Sequence, residues 1–214
     1  MNDALVLFVD RFWISPYAYT AHTALAEKGL PFEVRELSLG DGDQHQPQFR
    51  AKSITARVPA LWHRDFGLAE SSAIVEYVDE VLAGPRLLPT EPRERARARQ
   101  IMSWLRSDLL ALREDRPSTT LFYPCPVAPL SAKGSAAADK LLRVAGELVA
   151  PGRESLGTAW CIADADLGFM LQRLARNGDD VPAHLRDYAE AQWRRPSVRA
   201  FVEHARVPYV PYSY

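Results

Sequence analysis

Ser15, in the stretch WISPYAY, stands between an apolar run and Pro16. A serine ahead of a proline is a favoured helix start, because the hydroxyl accepts from an unpaired backbone N–H and proline suits the first helical position. The same place brings a hydroxyl and the positive end of a helix dipole to the end of a strand, which suits an anion such as a thiolate. Two further stretches carry similar chemistry. In RVPAL (57–61) a proline opens what otherwise reads as a strand, and a cis Val58–Pro59 bond would turn the Val58 backbone outward to pair with an extended peptide. In AESSAI (69–74), Glu70 and Ser71 open another helix, where the hydroxyl and backbone N–H groups suit a carboxylate and the glutamate an ammonium. A plain helix cap accounts for Ser71 equally well.

The elements that must position these residues alternate over the first eighty positions. ALVLFV (4–9) suits a buried strand, 16–28 a helix stopped by Gly29, and FEVREL (32–37) a second strand. QHQPQFRAK reads as a loop with a short helix, PALW (59–62) and HRDFGL (63–68) as two strands joined by a turn, and 71–83 as a helix. That order predicts an α/β domain of thioredoxin-like type over 1–82. AGPRLLPTEP marks a linker over 83–92. From 93 to 214 strand signals stop, and the periodicity predicts an all-helical domain with helices over Glu94–Glu114, 131–149, 163–176, 183–193 and 197–204.

Asp108 falls at helical spacing on the apolar face of Ile101, Leu105 and Leu112, so it is expected as a buried acid paired with an arginine, or as a residue bordering a cleft. Trp13, Tyr17 and Trp104 are candidate apolar lining for such a cleft. The tail VPYVPYSY either covers it or is disordered.

Composition removes several classes. The 214 residues carry a formal net charge of −1, which gives no long-range attraction to nucleic acid or to an anionic membrane. Asp3 and an apolar run ending at Asp10 do not make a secretory signal, and no run reaches the about 20 apolar residues of a spanning helix, so a cytoplasmic protein is expected. The two cysteines, Cys125 and Cys161, form neither a Cys-x-x-Cys pair nor a cluster with histidine, so no metal site is expected.

SPYAYTAHTALAEKGLPFE, RVPAL, ESSAIVEYV, WCIADADLGF and WRRPSVRAF together, in this order and spacing, resemble the glutathione transferase family across nearly the whole chain. ARARQIMSWLRSDLLALREDRP with WCIAD is most similar to its bacterial YfcF-like branch. The resemblance implies glutathione as co-substrate, with Ser15 bonding its sulfur and favouring the thiolate. It implies that Val58 pairs through its backbone with the cysteinyl part, exposed by a cis Pro59, and that Glu70 and Ser71 hold the γ-glutamyl ammonium and carboxylate. Arg57 stands where a lysine is common and is placed to reach the glycyl carboxylate. Gln44 occupies the usual histidine position, with His45 one place later. At the helix-start motif, Cys161 replaces the serine or threonine that would pair with Asp164, a weaker cap. The implied activity is attack of the thiolate on a small electrophile or a peroxide, by a homodimer. Glutathione-dependent peroxide or disulfide reduction, or glutathione binding without catalysis, are the alternatives.

Overall fold

Strand β1 (Leu5–Asp10) is buried along its entire length, as LVLFV requires of a central strand covered on both faces. It pairs in parallel with β2 (Glu33–Leu37) and antiparallel with β3 (Ala60–His63), which continues through a tight turn into antiparallel β4 (Phe66–Ala69). The mixed four-stranded sheet has the order β2-β1-β3-β4. The computed structural model describes residues 4–212; Met1–Asp3 and the last two tail residues, Ser213 and Tyr214, lie outside the described residues.

Helix α1 (Pro16–Lys28) starts at Ser15 and stops at Gly29, whose φ of 66° is the left-handed C-cap that glycine adopts without steric cost. A short 3-10 turn (Asp43–His45) and helix α2 (Pro47–Arg50) fill the stretch after β2, and α3 (Ser71–Val81) follows β4. A buried ion pair ties α1 to α3, the Lys28 ammonium lying 3.6 Å from Asp79 Oδ1, and the exposed Arg86 adds Nη2 at 2.9 Å from Asp79 Oδ2. One sheet face packs Val6, Phe8 and Ala60 with Phe49 from α2. The thioredoxin-like arrangement follows the expected element order.

The chain divides into two units between Leu87 and Leu88. The first unit also takes the segment from Glu203 onward, whereas the sequence reading carried the helical domain to 214. Within that segment Tyr209 meets the Phe12 ring edge-on at 5.0 Å and Tyr212 stacks on it at 5.8 Å, so the described part of the tail is neither loose nor independent of the first unit.

The second unit contains α4 (Pro92–Ser107), α5 (Leu110–Asp115), α6 (Thr119–Phe122), α7 (Ala132–Leu148), α8 (Ile162–Ala175), α9 (Ala183–Arg194) and α10 (Pro196–Val202). The single helix expected over Glu94–Glu114 is broken at Asp108–Leu109. Arg113 Nη1 donates to the Leu105 carbonyl at 2.8 Å, which replaces the backbone donor a continuous helix would supply. The break also corrects Asp108. Leu109, fully buried, takes the core position beside Leu105 and Leu112, and Asp108 is exposed and paired with Lys140 rather than buried with an arginine. Helix α8 is buried almost throughout. At its start the Asp164 carboxylate accepts from Cys161 N at 2.8 Å, Leu156 N at 2.6 Å and the Tyr188 hydroxyl at 2.8 Å. Burial and the neighbouring Asp164 push the Cys161 thiol up to about 12, so it stays protonated.

Candidate functional site

The register of the sheet brings the three chemistry-bearing stretches to one end of it. Phe8 of β1 faces Ala60, the first residue of β3, and Ala60 in turn faces Ala69, the last residue of β4. The exit of β1, the entry to β3 and the exit of β4 are therefore adjacent. Ser15 follows the first, Val58 and Pro59 precede the second, and Glu70 with Ser71 follow the third. The Val58–Pro59 bond is cis. Asp10 pairs with Leu37 at the end of β2, so the loop carrying Gln44 and His45 leaves from this end as well.

Ser15 caps α1. Its Oγ accepts from Ala18 N at 3.2 Å, and its own N–H donates to Asp10 Oδ2 at 3.0 Å. With the hydroxyl oxygen engaged as acceptor by the backbone, its proton remains as the donor. Asp10, only 1% exposed, also accepts from Phe12 N at 3.2 Å and Ile14 N at 3.1 Å through Oδ1. Burial pushes the Asp10 carboxyl up and these backbone donors oppose that shift.

The start of α3 is built differently. Glu70 has a φ of 71°, a left-handed conformation unfavourable for a residue with a side chain, and no side chain caps the helix. Ser71 is the first residue inside α3 and is buried, so capping does not explain it. The N-terminal N–H groups of this eleven-residue helix are left for an outside acceptor.

The other expected site residues separate into groups. Arg57 is exposed, next to Val58. Gln44 is buried, and its Nε2 reaches the Leu39 carbonyl at 3.2 Å and His45 Nε2 at 3.3 Å. Its Oε1 is buried without a hydrogen-bond partner, so Gln44 offers an acceptor where a carboxylate needs donors. Trp13, also at positive φ (51°), is covered in its own unit: the His204 ring stacks on the indole at 3.7 Å, and the indole N–H donates to Glu36 Oε1 at 2.8 Å. Tyr17 is 37% exposed. In the second unit Trp104 packs against the helical core and donates through Nε1 to Asp108 at 2.8 Å. The Lys140 ammonium and that indole hold the Asp108 carboxyl below the usual range.

Sequence reasoning missed Asp10, Glu36, His204 and Arg206. Arg206 Nη2 donates to the Trp13 carbonyl at 3.2 Å, and His204 lies 3.6 Å from Glu36. Asp10 had a signal, an acid closing a fully apolar strand, which reads only as an end to the run. His204 and Arg206 had none, because nothing local ties them to Trp13, 193 positions away in the case of Arg206. Among the described residues no group of three His, Cys, Asp or Glu is arranged to hold a metal, and no helix is long and apolar enough to cross a membrane.

Residues 10–80 match the family model for the glutathione S-transferase N-terminal domain, and residues 91–206 match that for the C-terminal domain. Glutathione S-transferase U22 of Arabidopsis thaliana is 31% identical over 169 residues, covering 78% of this chain and 64% of that protein. A second Arabidopsis thaliana relative, glutathione S-transferase U28, is 37% identical over 46% of this chain and 43% of its own length. The chain thus spans less than two thirds of the length of these curated relatives. A solved glutathione transferase homolog from Burkholderia, with bound glutathione, is 38% identical with a TM-score of 0.75, covering 94% of this chain and 96% of that one. The maleylacetoacetate isomerase structure from Methylobacterium extorquens, with bound malonate and glutathione, is 28% identical with a TM-score of 0.70, covering 92% and 95%. With both halves of the chain matched and the fold shared along nearly all of its length, this chain belongs to the glutathione S-transferase family.

Proposed function

We propose that this protein is a serine-type glutathione transferase in which the Ser15 hydroxyl donates to the glutathione sulfur and favours its thiolate for attack on a small electrophile. The observation that carries this reading is the Ser15 hydroxyl itself. Its oxygen is occupied by Ala18 N–H, leaving the proton to donate, at the sheet end that also bears Val58, Glu70 and Ser71. Val58 pairs through its backbone with the cysteinyl residue, and the uncapped start of α3 with Ser71 takes the γ-glutamyl carboxylate while Glu70 takes the ammonium. Arg57 suits the glycyl carboxylate better than Gln44, whose N–H groups already have partners. Trp13, Tyr17, Trp104 and Asp108 remain our candidates for the second-substrate side, with Trp13 acting from beneath His204.

A free thiol has a pKa of about 8.5, and a hydroxyl bond to the charged sulfur, worth about 1.5 to 3 kcal/mol, lowers it by about one to two units. A serine at this position disfavours disulfide reduction through a protein thiol. Bound glutathione in the Burkholderia structure supports the ligand, and its identity over nearly the entire chain supports a bacterial placement; for the YfcF-like branch only the sequence resemblance speaks. Retention on immobilised glutathione, followed by turnover against a panel of electrophiles and peroxides, tests the reading. Binding without turnover of any of them would make this a glutathione-binding protein instead. We also propose a homodimer, for which sedimentation at micromolar concentration should give twice the 24.0 kDa chain mass.

A further inference from the structure

Five residues after the end of β1, Ser15 is held by a turn that folds around one buried carboxylate. Asp10 Oδ1 accepts from Phe12 N and Ile14 N, its Oδ2 accepts from Ser15 N, and its backbone carbonyl accepts from Trp13 N at 3.0 Å. Trp13, in the middle of this turn, is kept at a φ of 51°. A backbone so disposed has little reason to persist without a group at its centre that accepts several N–H donors at once. An ionised carboxylate does this, since it has two acceptor oxygens and no donor.

We infer that Asp10 is a positioning residue for the transferase reaction: its carboxylate fixes the Ser15 backbone so that the hydroxyl proton points at the sulfur. This rests on the reading of Ser15 given above. Asp10 acts at one remove. Its own negative charge, close to a developing thiolate, works against ionisation of the sulfur. Two contributions of opposite sign therefore belong to one side chain, and they can be separated.

Asp10→Asn is close to isosteric but keeps one acceptor oxygen. With that oxygen on Phe12 N and Ile14 N, the new NH2 faces the Ser15 N–H where Oδ2 was, donor against donor. The expected result is a rise of about one unit in the pKa of bound glutathione, read from thiolate absorbance against pH, with kcat at neutral pH lowered about three- to eightfold as the thiolate fraction falls. KM for glutathione should change less than about twofold, because Val58, Glu70 and Ser71 are untouched. In a Ser15→Ala background the same substitution should lower the thiol pKa or leave it unmoved, since only the removed charge then acts. A fall or no change in pKa in the otherwise native protein would overturn the inference, as would an equal rise in both backgrounds. If Ser15→Ala alone leaves the pKa unmoved, it is the reading of Ser15 that fails. Should Asp10→Asn not fold, Asp10→Ser keeps an uncharged acceptor without the opposing amide. A smaller rise with that variant supports the inference, and no rise overturns it.

Discussion

Two helices begin at the same end of the sheet, and the protein finishes them differently. The start of α1 is closed by the chain itself, with Ser15 Oγ on Ala18 N, Asp10 on three backbone N–H groups, and the tail residues His204 and Arg206 on Trp13. The start of α3 is left open: Glu70 sits in a left-handed conformation, Ser71 lies inside the first turn, and no side chain caps it. A closed start presents one defined hydroxyl. An open start presents several N–H groups and a dipole end, suited to a whole carboxylate. The same residue type thus serves two purposes, and capping explains only the first serine.

Ser15→Ala is the substitution that should separate these regions most. It should lower the rate at neutral pH about ten- to a hundredfold and raise the bound-thiol pKa by about one to two units, read by absorbance titration. Because Ser15 also caps, it should cost about 1 kcal/mol of stability. A drop in melting temperature without a change in pKa would reduce Ser15 to a cap. Next in size, Ser71→Ala should weaken glutathione binding about tenfold by calorimetry, through a lost bond to a charged group. Since Ser71 caps nothing, its melting temperature should fall less than that of Ser15→Ala. The reverse order would erase the contrast.

Acid should loosen the closed start in preference to the open one. Burial and the charge of His204 push His22 down to about 4, and burial lowers His204 too, with Glu36 raising it and Arg206 lowering it. Burial around Trp13 disfavours protonation of both rings, so the unfolded chain binds more protons. Stability is full above the unfolded histidine pKa near 6.5 and is lost as pH falls toward the folded values. For His22 this amounts to about 1 kcal/mol between about pH 7 and about pH 5.5, measurable by denaturant midpoints and absent in His22→Phe. Smallest of all, Arg206→Ala removes the donor to the Trp13 carbonyl and should lower turnover about two- to threefold while leaving glutathione affinity unchanged. An equal loss of affinity would show that the tail supports both helix starts.

What could be read in the sequence followed local rules. The apolar run of β1, the Ser15-Pro16 start and the Gly29 stop of α1, and the period-two and period-3.6 patterns through α3 all act within a few residues. The places where the reading failed depend on distant partners. Asp108 lay on an apolar stripe by helical counting, but the helix ends there: Leu109 takes the core position, and Arg113 supplies the donor to the Leu105 carbonyl. The tail has no period to read, and its place comes from distant residues such as Phe12, Trp13 and Glu36. Gln44 matched by position, but position does not tell which of its atoms are already bonded: Nε2 reaches the Leu39 carbonyl and His45, and Oε1 is the buried acceptor.

The return of the segment beyond Glu203 to the first unit also bears on the order in which the molecule is completed during synthesis. The helical unit, Leu88–Val202, is contiguous and holds all its own residues before that segment leaves the ribosome. Until then Phe12 and Trp13 lack His204, Arg206, Tyr209 and Tyr212. Domains generally fold in the order in which they are made. Here the first unit takes up residues made after the second, and Trp13, in the turn that carries Ser15, meets His204 and Arg206 only once those residues have been added.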